Sequence, residues 1–190
     1  AGVNVRRKRK YKVTTRSNHQ YPISPNLVQR NFQADKPNMV WASDITYIKT
    51  MEGWVYLAIV LDLYSRKVVG WSLAKNITAE IVKQALIMAI GRRNPSPGLI
   101  HHSDRGIQYA CEEYRRLLNT YGIVSSMSRS GNCLDNAVAE RFFRTLKTEK
   151  INDWHNMTAE EVKHDIVDFI EMFYNGERLN SSAGYHSPND

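Results

Sequence analysis

Residues 54–61, Trp-Val-Tyr-Leu-Ala-Ile-Val-Leu, carry no charge and are apolar on both faces. A run this short cannot span a bilayer, and Asp62 closes it, so it predicts a central strand buried from both sides. On its N-terminal side, 40–48 alternates: Trp41, Ile45 and Tyr47 point one way, Ala42, Asp44 and Thr46 the other. Glu52-Gly53 makes the turn between them, and 62–66 makes the next. Residues 67–73 form a third strand, in which Gly70 marks a bulge or a close backbone approach. Three strands joined by tight turns predict an antiparallel meander.

Beyond the meander the period changes. Thr78 caps a helix whose Ile81, Ala85, Leu86 and Ala89 face inward and which ends at Gly91. Residues 99–103 form a short strand ending at Asp104-Arg-Gly106. A helix over 110–121 turns Tyr114, Leu117 and Leu118 inward and stops at Gly122. A fifth strand covers 123–127, followed by a polar, Gly-containing stretch at 128–132 that is expected to be mobile. Asn132 then caps a helix with Leu134, Val138, Phe142 and Leu146 on its apolar face. Thr158 and Glu161 form a capping box for a last helix, with Val162, Ile166, Phe169 and Phe173 inward. The order β-β-β-α-β-α-β-α-α predicts an α/β fold: a mixed five-stranded sheet flanked by helices, its later strands parallel through right-handed crossovers.

Charge divides the chain. Its net charge is +7, yet Arg6, Arg7, Lys8, Arg9, Lys10, Lys12 and Arg16 account for the whole excess. Residues 1–37, punctuated by Pro22, Pro25 and Pro37, read as a basic N-terminal arm and linker, and 38–190 as the core. Such an arm suits a polyanion. Nucleic acid is favoured over a membrane, which calls for an amphipathic or lipidated anchor as well. Cys111 and Cys133 form no Cys-x-x-Cys pair, so no structural zinc site is expected. With no secretory signal, both read as free thiols in a reducing cytoplasm.

Four acids stand out: Asp44, Asp62, Asp104 and Glu140. Asp44 is mid-strand, where Asp is disfavoured, with small neighbours Ala42 and Thr46 on its face. Asp104 follows a strand, where open α/β sheets place ligands. Glu140 shares a helix face with Arg144 and Lys147, at i+4 and i+7. If the first and fourth strands are neighbours, Asp44 and Asp104 meet, and Glu140 closes the third side. Three convergent carboxylates repel unless a cation neutralises them. Oxygen ligands suit Mg²⁺ or Mn²⁺, and a pair of such ions can drive in-line attack on a phosphodiester. The alternative is structural: Asp44 paired with a lysine, Asp104 capping a turn, and Glu140 on a solvated face.

Asp104 and Glu140 are separated by thirty-five residues, and Lys147 follows the Glu at seven. This resembles the Asp-Asp-(35)-Glu signature of retroviral integrases and of insertion-sequence transposases of the two-reading-frame class. Five blocks between 38 and 188 resemble those transposases in order. They are Trp41-Ala-Ser-Asp-Ile-Thr-Tyr47, Asp62-Leu-Tyr-Ser-Arg-Lys-Val-Val-Gly-Trp71, His102-Ser-Asp-Arg-Gly-Ile-Gln-Tyr109, Ser128-Arg-Ser-Gly-Asn-Cys-Leu-Asp-Asn-Ala137 and Tyr174-Asn with Gly184-Tyr-His-Ser-Pro188. Arg141, Asn180 and Ala183 depart from the pattern. The resemblance implies a ribonuclease-H-like fold and Asp44, Asp104 and Glu140 as ligands of Mg²⁺ or Mn²⁺, two ions being expected. It implies hydrolysis and strand transfer at transposon ends, with DNA as partner and a homodimer or larger synaptic complex. Lys147 would contact transposon-end DNA, joined by Arg144, Asn136, Arg105 and Arg129 and by the arm's Arg7, Lys8, Arg9 and Lys10. For Asn136 and Arg105, local hydrogen bonding is the competing role. Asp62 would order its turn against Arg66, Asp135 would not be catalytic, His101 would pack beside the sheet and His102 could reach the site. A nuclease of the same fold and a non-catalytic DNA-binding or dimerisation module stay open as alternatives.

Overall fold

The computed structural model describes residues 19–180 and 184–189; the basic arm and Ala183 lie outside them. Five strands form one sheet in the order β3-β2-β1-β4-β5. They are β1 (Val40–Thr50), β2 (Gly53–Asp62), β3 (Val68–Ala74), β4 (Ile100–Ser103) and β5 (Val124–Met127). The first three pair antiparallel, whereas β4 pairs parallel with both β1 and β5. The expected antiparallel meander and the parallel pairing of the later strands are therefore the observed ones.

Alternation along β2 builds both layers of the core. Leu57, Ile59 and Leu61 point to one face, toward Phe142 and Leu146 of α4 (Ala137–Trp154) and Ile166 of α5 (Ala159–Val167). Ala58 and Val60 point to the other, toward Ala85 and Leu86 of α1 (Ala79–Arg93) and toward Tyr109 and Tyr114. Each such side chain taken fully out of water contributes about 1.5–3 kcal/mol. Gly70 serves both expected purposes. The β2–β3 register shifts beside it, and a Cβ there would stand 2.2 Å from the Ala85 carbonyl oxygen of α1.

Several element ends differ from expectation. α1 continues past Gly91 to Arg93, where Asn94 takes the left-handed cap (φ 41°) and Pro95 prevents continuation. The helix expected over 110–121 is two: α2 (Ile107–Ala110) and α3 (Glu112–Thr120), with Cys111 extended between them. Asn132 does not cap; its side-chain oxygen accepts from Arg30 Nη2, and a 3-10 turn (Cys133–Asn136) precedes α4. Leu134 is accordingly 55% exposed, and Ala139, Phe142, Phe143 and Leu146 form the buried stripe. The Thr158–Glu161 capping box is present. After α5 the chain widens into a π-helix (Asp168–Glu177), and the longer turn rotates Ile170 and Tyr174 inward while Phe173 becomes 37% exposed.

The stretch read as linker is docked. Ser24 and Leu27 hydrogen-bond Ser125 and Ser126 of β5, and Met127 N–H donates to Pro25 O, so 24–27 covers that edge. The opposite edge is closed by buried Asn175, whose amide bonds both backbone groups of Val68. Among the described residues no helix is long and apolar enough to cross a membrane.

Gly70→Ala drives a methyl group into backbone atoms that cannot yield, so a loss of about 3 kcal/mol is expected, read from the urea midpoint. An unchanged midpoint would show that β3 and α1 are not locked together there.

Candidate active site

The parallel pairing of β1 with β4 sets Ala42 beside His102, and the same register carries Asp44 to the level of Asp104, just past the end of β4. Both aspartates lie half-buried at this end of the sheet. Asp44 accepts from the Ile45 N–H at 2.8 Å, and Asp104 from the Gly106 N–H at 2.8 Å, a turn that opens α2. Burial pushes the Asp44 carboxyl well above its usual range; the charge of Asp104 adds to this, the Ile45 N–H and Lys147 oppose it, and Glu140 adds again. Two acids far away in the chain thus act on the Asp44 carboxyl.

Glu140 stands in the first turn of α4 with an exposed side chain. Burial of its carboxyl raises its pKa and Arg144 opposes the rise. Lys147, two turns on, is half-buried with Nζ 4.7 Å from the centroid of the Tyr47 ring. Burial lowers its pKa and Asp44 opposes that. Among the described residues no three His, Cys, Asp or Glu side chains are grouped closely enough to hold a metal ion as they stand. The donor chemistry fits a hard cation even so, because burial first, and then the charges of Asp104 and Glu140, disfavour Asp44 as an anion.

Other expected contacts have structural roles. Arg129 binds Asp135 through its backbone N–H, Nε and Nη2. Asp135 is fully buried and also accepts from Asn26 and Arg30, and these donors, Arg129 first, hold its carboxyl well below the usual range. The 128–132 stretch, expected mobile, is tied down by this network. Arg105 Nε donates to Ser128 O, and Asn136 Nδ2 donates to Ser43 O, which fastens the start of α4 to β1. Both therefore make the local hydrogen bonds that were the competing expectation.

His102 does not reach the carboxylates; its ring contacts Ser126, Ser128 and the Asp135 carbonyl oxygen. His101 packs beside the sheet between Ser43 and Tyr114, and burial lowers its pKa to about 3. Asp62 orders its turn, but its side chain pairs with Arg93 and the N–H groups of Asn38 and Tyr64; Arg66 bonds it only through a backbone N–H, to the Asp62 carbonyl oxygen, while the Arg66 charge acts on the carboxyl without an ion pair. Cys111 is a free thiol; the side chain of Cys133 lies outside the description.

Two residues were not singled out by sequence. One is Asp135, noted only as non-catalytic, whose signal was its place between basic Arg129 and the start of a helix. The other is Tyr109, whose buried hydroxyl has no hydrogen-bond partner and whose ionisation is disfavoured by burial, then by Tyr114, Asp44 and Asp104. Its signal was a polar-tipped ring on the inward face of a helix five positions after Asp104.

A sheet of this order, with acids converging at the end of its parallel pair under a helix that carries a third, defines a ribonuclease-H-like core. The chain belongs to the integrase core domain family, which residues 34–133 match, with a second integrase core domain description matching 121–188. It is 43% identical over 186 residues to the insertion element IS600 uncharacterized 31 kDa protein of Shigella sonnei, covering 98% of this chain and 68% of that protein. It is 46% identical over 166 residues to the transposase for insertion sequence element IS904 of Lactococcus lactis subsp. lactis (strain IL1403), covering 87% and 66%. It is 41% identical over 187 residues to transposase InsF for insertion sequence IS3A of Escherichia coli (strain K12), covering 98% and 65%. The chain spans about two thirds of the length of these relatives. Among solved structures, the HTLV-2 integrase catalytic core domain in complex with magnesium superposes with a TM-score of 0.59 at 19% identity, covering 80% of this chain and 94% of that one. A chain of the simian T-cell lymphotropic virus intasome superposes with a TM-score of 0.65 at 20% identity, covering 87% and 56%.

Asp135→Asn leaves the donors that converge on this buried position without their anion. With Arg30 and Arg129 partly exposed, a loss of about 2–3 kcal/mol at pH 7 is expected by urea denaturation. A depressed carboxyl contributes above its unfolded value of about 3.9 and loses that contribution as pH falls through the folded value, so the gap should narrow in acid. Asp44 has the opposite sign: its raised carboxyl costs stability as pH rises above about 3.9 toward the folded value. Asp44→Asn should therefore raise the melting temperature of metal-free protein by at least about 2 °C at pH 8 and by less at pH 5. A lower melting temperature at pH 8 would contradict the crowding of acids around Asp44.

Proposed function

We propose that this chain is the catalytic core of a DNA transposase, cutting at transposon ends and joining the freed 3′-OH to a target strand. The observation that supports this best is the Asp44 carboxyl, held on β1 within the influence of Asp104, Glu140 and Lys147. Asp44 and Asp104 would hold Mg²⁺ or Mn²⁺, with Glu140 completing the oxygen set from α4. One or two such ions, when bound, supply Lewis-acid activation of the attacking oxygen and charge relief at the leaving one. The core's own part is positioning and electrostatics. The sheet fixes two acids, α4 sets the third, and Arg144 and Lys147 extend the same helix face to bind the DNA backbone.

Chemistry proceeds in two displacements. In the first, water attacks the phosphodiester at the transposon end, the P–O3′ bond breaks, and the 3′ oxygen leaves as a hydroxyl. In the second, that hydroxyl attacks a target phosphodiester, forming one P–O bond and breaking another. No side chain becomes bonded to DNA, which agrees with a site made of carboxylates and cations. Arg7, Lys8, Arg9 and Lys10 would add backbone affinity with steep salt dependence and little sequence preference. Self-association into a dimer or larger synaptic complex would bring two DNA ends together. The relatives named as transposases support this reading.

A labelled transposon-end oligonucleotide with a free 3′-OH, incubated with target duplex and Mn²⁺, should give products longer than itself. Asp44→Asn, Asp104→Asn and Glu140→Gln should each lower that yield at least about a thousandfold, with DNA affinity by anisotropy within a few-fold of the parent. Shortened products alone would make the protein a nuclease, and undiminished joining by the variants would remove the carboxylates from the mechanism.

A further inference from the structure

On the flank of α4 next to the Glu140 face lies a cavity of about 490 Å³ that takes no part in the chemistry above. Three arginines from separate parts of the chain line it: Arg66 from the β2–β3 turn, Arg141 from α4 and Arg178 from just past the π-helix. Phe32, Tyr174 and Tyr185 add aromatic surface.

Arg66 is the unusual member. Its Nη2 donates to the Phe32 carbonyl oxygen at 2.9 Å, but its Nε and Nη1 are buried without an acceptor. A guanidinium does not escape this by releasing its proton, and buried donors left unpaired are costly. Arg141 adds like charge beside it. Asp62, the acid of the same turn, is committed to Arg93 and to two backbone N–H groups. Among the described residues no acid forms an ion pair with Arg66 or Arg141, while Arg178 has Glu149 at 3.6 Å.

Nε and Nη1 lie on opposite edges of the guanidinium, but Nη2 keeps a second N–H that stands parallel to a donor on one of those edges, and two such parallel donors match two oxygens of one anion. A phosphodiester offers two non-bridging oxygens to such a fork. The flanking cations suit its charge, and the aromatic rim, with Tyr185 largely exposed, suits the sugar and base it carries. The volume is that of a site for a single small ligand, so one nucleotide fits.

We propose that this cavity binds a backbone phosphate of a DNA strand, separately from the carboxylate site, with Arg66 as the fork and Arg141 and Arg178 beside it. The assignment rests on the DNA-acting function argued above. Because Arg141 follows Glu140 directly on α4, a strand crossing that helix engages both flanks, one for chemistry and one for anchoring.

The test uses the whole chain and anisotropy with a short fluorescent single-stranded oligonucleotide over a range of salt. Arg66→Lys, which keeps the charge but loses the fork, and Arg141→Glu should each raise Kd about tenfold. Arg141→Glu should also flatten the salt slope by about 0.7, the share of one phosphate. Inorganic phosphate should compete with the oligonucleotide on the parent and lose that effect on Arg141→Glu. Arg141 is exposed, so this variant decides the matter if Arg66→Lys fails to fold. Folded variants with the parent's Kd and slope would overturn the site while leaving the DNA function intact. A parent that binds phosphate through Arg141 but no DNA would overturn both.

Discussion

The structure depends first on how β1 sits between β2 and β4. Parallel pairing in one register places Trp41 beside His101 and Ala42 beside His102. Side chains on a strand alternate, so a slip of one residue would exchange the two faces. Asp44 would then turn toward α1 and α3, and the buried Ser43–His101–Tyr114 cluster would lose its partners. One register therefore serves two purposes: it completes a dry polar cluster on one side and aligns two acids on the other. The cluster makes any other pairing expensive, and Asp44 and Asp104 stay together despite mutual repulsion because the backbone leaves them no alternative.

α4 needs its own fixing, since its helical spacing says nothing about where it lies on the sheet. Asn136 bonds the Ser43 carbonyl oxygen, His102 contacts the Asp135 carbonyl oxygen, and the Asp135 carboxylate gathers Arg129, Arg30 and Asn26. The segment that covers β5 is thereby stitched to the turn that leads into the helix carrying Glu140. Buried charge networks of this kind give little net stability compared with apolar packing, but they specify an arrangement, because each unmet donor would be costly.

What could be read in the sequence follows from the range of the interactions involved. Strands of period two and the Thr158–Glu161 box are local, and both are found; of the expected apolar face of α4 only Phe142 and Leu146 are in the buried stripe. Errors arise where distant groups compete. Asn132 looks like a cap until Arg30, far upstream, takes its side-chain oxygen. Gly91 looks like a stop, but Asn94 before Pro95 ends the helix three positions later. The π-helix cannot be seen in a pattern of period 3.6, so Phe173 was placed where Tyr174 belongs. The acids Asp44 and Asp104 were readable because an Asp mid-strand and an Asp after a strand are both exceptions to the local rule. Tyr109 was not, because an inward aromatic is the ordinary case and only its unpartnered hydroxyl sets it apart.

Asp44 and His101 stand on opposite faces of the same sheet, and both are disfavoured as ions. An unfolded chain ionises each of them freely, so the native state gives ground in two directions. Acidification below about 6.5 charges the imidazole in the denatured chain while the folded interior, held neutral to about 3, refuses the proton. Alkalinisation strips the Asp44 carboxyl, which the folded interior would keep protonated. The sheet is thus an insulating partition between two ionisable compartments of opposite polarity, and the unliganded protein is pinched from both ends of the pH scale.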